Sequence, residues 1–240
     1  MKSLIKFTLV TIGCVIAFFL IIIFVVNPLI KCSSDNRAPI GSSEDDHYIR
    51  IQGIKPSDAT VTAQAIFYGG GEDCTSFFWS ASDGKKRQGG KGVFRLEYNF
   101  SDESDRYELR IPYLNYASSG CDMKLYQIIV SAKNAFDPIG FAELRIYPPT
   151  KSSEKSIALS SIIEARDCDG EVYMSLRKVQ AGAIGCYFYI NSDKQTKEKE
   201  FNAESIYLDF SKFSDSTIIH YDILAGENYR NEPLNPESEK

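Results

Sequence analysis

Any catalysis by this chain would run through very few side chains. Histidine occurs only at positions 47 and 220, so a Ser-His-Asp relay or an imidazole base would have to use one of them. His220 lies in the run Ile218-Ile219-His220-Tyr221-Asp222-Ile223. Alternation sets it on the face opposite Ile219, Tyr221 and Ile223, which reads as a surface histidine on a strand. His47 sits in polar sequence ahead of the first strand. No Gly-x-Ser-x-Gly, His-Glu-x-x-His or P-loop pattern is present. The carboxylates leave room for a glycoside-hydrolysing pair, but nothing singles one out. The sequence therefore points to no enzyme, no catalytic residue and no cofactor.

Metal and disulfide chemistry are read from the acids and cysteines. Asp167-Cys168-Asp169-Gly170-Glu171 lacks the third Asp/Asn and the distal Glu of a calcium loop, and reads better as an Asp-Gly turn between strands. A zinc site would need CxxC spacing and nearby histidine, so no metal site is expected. Of the six cysteines, Cys14 falls in an apolar run. Cys74, Cys121, Cys168 and Cys186 bracket two stretches, and proximity pairs Cys74 with Cys121 and Cys168 with Cys186. Cys32 is left over, as a free thiol or as an intermolecular bridge that would make a dimer.

Binding chemistry is more visible. Gly84-Lys85-Lys86-Arg87-Gln88-Gly89-Gly90-Lys91-Gly92 gathers four cations in a glycine-rich stretch. Two readings stand: a flexible solvated hairpin loop, or a contact loop for an acidic partner, a lipid phosphate or a glycan. Phe77-Phe78-Trp79 and Tyr187-Phe188-Tyr189 are the dense aromatic clusters. On strands they point to both faces, so each splits between core packing and exposure. The candidate partner-binding residues are Lys85, Lys86, Arg87, Lys91, Phe78, Trp79, Tyr187 and Tyr189.

Those side chains need a scaffold, and the scaffold reads as β. Period-2 alternation runs through Val61–Phe67, Phe94–Phe100, Tyr107–Ile111, Tyr126–Ala132 and Ala142–Ile146, with glycines between. The chain shows no convincing amphipathic helix of ten or more residues. The fold class expected is all-β: a sandwich over 47–149, a break at Pro148-Pro149, then a smaller β-rich module over 150–230 and a disordered tail over 231–240. Cys121–Tyr147 resembles the last two strands of an immunoglobulin-like sandwich, through Tyr126, Val130 and Ala132, Asn134, Gly140 and a closing strand. It departs from that family in two places. Trp79 follows Cys74 too closely, and Ser119 stands where the tyrosine before the second cysteine belongs.

Length and composition agree with this. With 240 residues, 43% hydrophobic and 25% charged, the chain is neither collagenous, nor an acidic disordered tail, nor a polytopic membrane protein. Residues 7–26 carry no charge and would span roughly 30 Å as a helix. Lys2 and Lys6 precede them and the acids Glu44, Asp45 and Asp46 follow, so residues 1–30 read as a cytoplasmic N-terminus and an uncleaved transmembrane signal-anchor. A tether over 31–46 then leads into the periplasm, where disulfides persist. Beyond residue 30 the chain has 25 basic residues against 32 acidic ones, which argues against nucleic acid as partner. This layout resembles the membrane-tethered periplasmic immunity proteins of type VI secretion effectors. The resemblance implies an inner-membrane-anchored, non-enzymatic binder whose partner is a secreted toxin or effector. A structural subunit of an envelope complex is the second reading, and a periplasmic hydrolase or sensor the third.

Overall fold

The computed structural model describes residues 38–79, 84–135, 137, 140–174, 180–199, 204–226 and 229, without the side chains of 171–183. The expected membrane segment 7–26, Cys14, Cys32, the start of the tether and the tail 231–240 lie outside the described residues. Contacts divide the chain after Pro39, and Ile40–Lys240 forms one unit. Among the described residues no helix is long and apolar enough to cross a membrane.

The described residues form fourteen strands: β1 (Tyr48–Ile54), β2 (Thr60–Gly70), β3 (Phe77–Trp79), β4 (Lys86–Gln88), β5 (Gly90–Leu96), β6 (Arg106–Pro112), β7 (Tyr116–Ser118), β8 (Cys121–Lys133), β9 (Phe141–Tyr147), β10 (Ile162–Met174), β11 (Gln180–Ile190), β12 (Asp193–Lys194), β13 (Glu204–Tyr207) and β14 (Ile218–Leu224). One sheet runs β12-β11-β10-β14-β1-β6. A second runs β13-β9-β8-β2-β5, with β7 beside β8, and β3 pairs only with β4. The protein is an all-β sandwich.

The alternation seen in the sequence builds the core. Ile49 and Ile51 of β1, Tyr107, Leu109 and Ile111 of β6, and Ile219, Tyr221 and Ile223 of β14 are all buried on one face of the first sheet. Val61, Ala63, Ala65 and Phe67 of β2 oppose them from the second sheet, in one cluster with Val130 and Leu144. At its border the half-buried Phe94 and Tyr116 meet the buried Phe67 and each other edge-to-face at 5.1–5.5 Å, the geometry their ring quadrupoles prefer.

Beyond Pro148-Pro149 the chain returns to the sheets begun before it. β14 lies parallel between β1 and β10, and β13 extends the second sheet beside β9. A stretch of about 70–80 residues has too little interior to bury its own strands, so it completes the sheets of the first part. Parallel pairing needs a long crossover, which the intervening chain provides.

Two bulges overturn local expectations. Between β2 and β8 the register shifts at Ile66/Phe67, where Ile66 faces Gln127 and Phe67 faces Leu125. The extra residue is Tyr126, and it turns outward, 43% exposed, instead of continuing the inward row Ile128–Val130–Ala132. Asp167–Cys168, expected in a turn, lie inside β10 at a register shift between Arg166 and Asp169, with Asp167 at φ 50°. A bulge holds the extra residues there without ending the strand. A third shift, between β8 and β9, leaves Ala142 at φ 48°. Its carbonyl accepts the buried Tyr221 hydroxyl, 2.5 Å away in the other sheet, so a group freed from the ladder is satisfied across the core.

Candidate functional site

Both expected disulfides are present, Cys74–Cys121 and Cys168–Cys186. The first anchors the basic hairpin. The β7–β8 turn is Ser119-Gly120, at φ 53° and 73°, the positive values that a two-residue hairpin requires. A Cβ on Gly120 would lie 2.0 Å from the Asp73 carbonyl oxygen, so glycine lets the chain around Cys74 run directly against this turn. Thr75 donates from both its amide and its hydroxyl to the Ser119 carbonyl, at 3.0 and 3.1 Å. The Gln88 amide donates to the Cys74 carbonyl at 2.6 Å, and the Gly89 N–H to Ser76 at 2.8 Å. Hairpin β3–β4 is thereby fixed to the end of the second sheet. The Gly84–Gly92 stretch is not one loop: Lys86–Gln88 is strand β4, Gly90 opens β5, and Gly89 alone joins them.

From this anchor a row of rings crosses the outer face of the second sheet. Phe78 packs on Tyr68 at 5.8 Å and Tyr68 on Tyr126 at 5.1 Å. Tyr126 packs on Tyr147 at 6.1 Å, and Tyr147 on Tyr207 at 6.3 Å. The register explains the line, for Tyr147 stands beside Tyr207, and the Tyr126 bulge fills the gap between β2 and β9. The Gln127 side chain donates to the Tyr147 hydroxyl at 2.6 Å. Burial raises the Tyr147 phenol above its ordinary value, with neighbouring Arg145 pulling the other way. At the row's open end Trp79 is 72% exposed and Phe77 57%, with the Lys86 ammonium 4.2 Å from the Phe77 ring centre. Tyr126 is exposed and the other four rings of the row are half-buried, which makes one continuous aromatic surface, unlike scattered single apolar residues.

Cations border this row. Lys91 lies 5.6 Å from the Tyr68 ring centre, and Lys124 is Tyr68's register partner on the opposite side. Arg87 stands opposite Phe78 in the hairpin. Of the sequence-derived candidates, Lys85, Lys86, Arg87, Lys91, Phe78 and Trp79 therefore gather at the hairpin end of the second sheet, with Trp79 and Lys86 on the opposite side of the hairpin from Phe78 and Arg87. Tyr187 and Tyr189 do not join them. They lie on β11 in the first sheet, with Lys194 3.2 Å from the Tyr187 ring centre and Arg166 4.7 Å from that of Tyr189. Sequence reading missed Tyr68, Tyr126, Tyr147 and Tyr207, since each lies singly on a different strand.

Residue types suited to catalysis come together elsewhere. A pocket of about 340 Å³ on the first sheet is lined by Gln52, Ser101, Arg106, Glu108, His220 and Asp222, among others. Several of these groups serve the fold. Asp222 accepts the Ile54 N–H at 2.8 Å, Glu108 is paired with Arg110 at 2.9 Å, and Arg106 with Glu103 at 2.9 Å. His47 also has a structural partner, Asp215, at 2.8 Å. Among the described residues no cluster of three or more His, Cys, Asp or Glu is placed to hold a metal. The chain matches no protein-family model, no curated protein and no solved structure.

Proposed function

We propose that this chain is a non-enzymatic binding protein, held in the bacterial inner membrane by residues 7–26, whose β-sandwich faces the periplasm and captures and neutralises an antibacterial effector. One observation carries the reading: a continuous aromatic row from Phe78 to Tyr207, on a face locked at its hairpin end by a disulfide and by hydrogen bonds, with Trp79 exposed on that hairpin. Rigid aromatic anchors lose little conformational entropy on binding and dominate interface energies. Anchoring in the membrane would raise the binder's concentration where an incoming toxin arrives. The immunoglobulin-like reading of Cys121–Tyr147 belongs to the same proposal and is supported by the antiparallel pairing of β8 with β9. Recognition on a sheet face, not at sandwich-end loops, is then the expected mode.

The test is protection. Cells making the full chain should survive periplasmic expression of the effector encoded beside its gene, and a periplasm-active reporter fused after Lys240 should be active. Trp79→Ala combined with Tyr126→Ala should abolish protection, while His47→Ala combined with His220→Ala should preserve it. The pocket holding Ser101, His220 and Asp222 favours a hydrolase as the second reading. Loss of protection in a His220→Ala variant that still folds and binds would select it.

A further inference from the structure

The charge of the whole domain and the charge of the aromatic face point in opposite directions. Beyond residue 30 the chain carries 25 basic residues against 32 acidic ones, which on its own would select a basic partner. On the aromatic face the sign reverses. Outward positions of β5, β8 and β9 carry Lys91, Arg95, Lys124 and Arg145, and the hairpin adds Lys86 and Arg87. Against them stand Asp122 and Glu143; Glu143 pairs with Arg145 at 2.8 Å, so on the strands Lys91, Arg95 and Lys124 stand against Asp122.

We infer that this face docks an acidic polypeptide surface, one that sets carboxylates against the cations beside Tyr68 and an apolar or aromatic side chain against Tyr126. The inference rests on the binding reading above and adds the chemistry of the partner. Three features favour a polypeptide. The face is a sheet about 19 Å across its five strands, the scale of a protein contact and not of a ligand slot. Tyr68, Tyr126 and Tyr147 meet at 79–87°, so those ring faces are spent on neighbouring ring edges instead of lying flat as a platform for sugar stacking. The lysines beside Phe77 and Tyr68 sit over rings, an arrangement that holds a cation at an apolar contact without removing its charge.

The single tryptophan of the chain lies on the hairpin at the end of this face and reports on contacts made there. The full chain in neutral detergent would be titrated with a random glutamate–tyrosine copolymer while Trp79 emission is followed. Parallel titrations would use a lysine–tyrosine copolymer, polygalacturonate and a water-soluble short-chain phosphatidylglycerol. The expected result is saturable binding of the acidic copolymer with a blue shift of emission. Lys86→Glu combined with Lys91→Glu should weaken it at least tenfold, and raised salt should weaken the parent more than the variant. An unchanged thermal midpoint would show that the variant folds. The inference is overturned if the basic copolymer binds as well, if polygalacturonate or the phospholipid binds better, or if the charge-reversed variant binds unchanged. Should it fail while Trp79→Ala with Tyr126→Ala still abolishes protection, the binding reading stands and only the partner's charge is corrected.

Discussion

The two outer faces of the sandwich use the same residue types to opposite ends. On the first sheet, charges are consumed internally. Arg166 forks onto both oxygens of Glu164 at 2.5 Å and lies over Tyr189, Arg110 holds Glu108 and covers Phe100, and Asp222 accepts the N–H of Ile54. Glu164 is only 7% exposed. On the second sheet, rings pack on rings in a line, and Lys91 and Lys124 flank Tyr68. Charge density alone therefore says little about binding, and the location of each charge's partner says more. A face whose polar groups answer one another is part of the fold, whereas one left with a surplus of one sign beside exposed rings is available to another molecule.

The comparison breaks most readily at the disulfides. Cys74→Ser removes the closure of a 47-residue separation and should cost about 4 kcal/mol, against about 3 kcal/mol for Cys168→Ser, whose separation is 18. Denaturant unfolding measures both. Only the first should also release the hairpin and lose the partner, although both variants lose stability. Equal loss of partner binding would mean that the two faces are not independent.

Tyr221→Phe attacks the stitch between the sheets. It leaves the Ala142 carbonyl without its buried donor and should cost about 1–3 kcal/mol by thermal unfolding. The phenols of Tyr107 and Tyr221 are pushed well above their ordinary value, first by burial and then by neighbouring phenol or carboxylate charge. Their neutral forms are therefore favoured in the folded state. Stability should be intact below about pH 10 and fall as pH rises above it, because the unfolded phenols ionise first.

A pair of single substitutions sharpens the contrast. Glu164→Gln should lower stability by about 1–3 kcal/mol, by loosening a nearly buried ion pair, and leave partner affinity unchanged. Trp79→Ala should do the reverse: a stability change within about 0.5 kcal/mol and a tenfold or greater loss of affinity by calorimetry. The smallest effect belongs to Asp215, whose carboxyl is lowered chiefly by its hydrogen bond to His47 and further by Tyr113. Its contribution is present above the unfolded carboxyl value, near 3.9, and disappears as pH falls below that value. Asp215→Asn should flatten only this acid limb of the stability profile.

Much of the scaffold was legible because one face of nearly every strand is buried. Tyr107 to Ile111 and Ile219 to Ile223 announce themselves by period alone, whereas β1 with Ile49 and Ile51 was not read as a strand, and both cysteine pairs follow from proximity. The basic, aromatic end of the site was legible too, since Phe78, Trp79 and Lys86–Lys91 are close in sequence. Its continuation was hidden for two reasons. A bulge residue carries no mark in the sequence, so Tyr126 reads as part of the inward row. The tyrosine line is also set by strand order, and that order depends on β13 and β14 crossing a double proline to join sheets begun 60 or more residues earlier. Alternation gives faces but not neighbours.

The parallel pairing of β1 with β14 sets a timetable. Arg50, Ile51 and Gln52 find their partners Ile218, Ile219 and His220 only after nearly the whole chain has emerged. Until then the first sheet can exist only as two pieces, β1-β6 and β12-β11-β10, each exposing the edge that β14 will fill. Loop closure over so long a separation is slow, and open strand edges invite pairing with other chains. Maturation of this protein thus hinges on its last strand, and a chain stopped short of residue 217 would be an aggregation hazard instead of a smaller working domain.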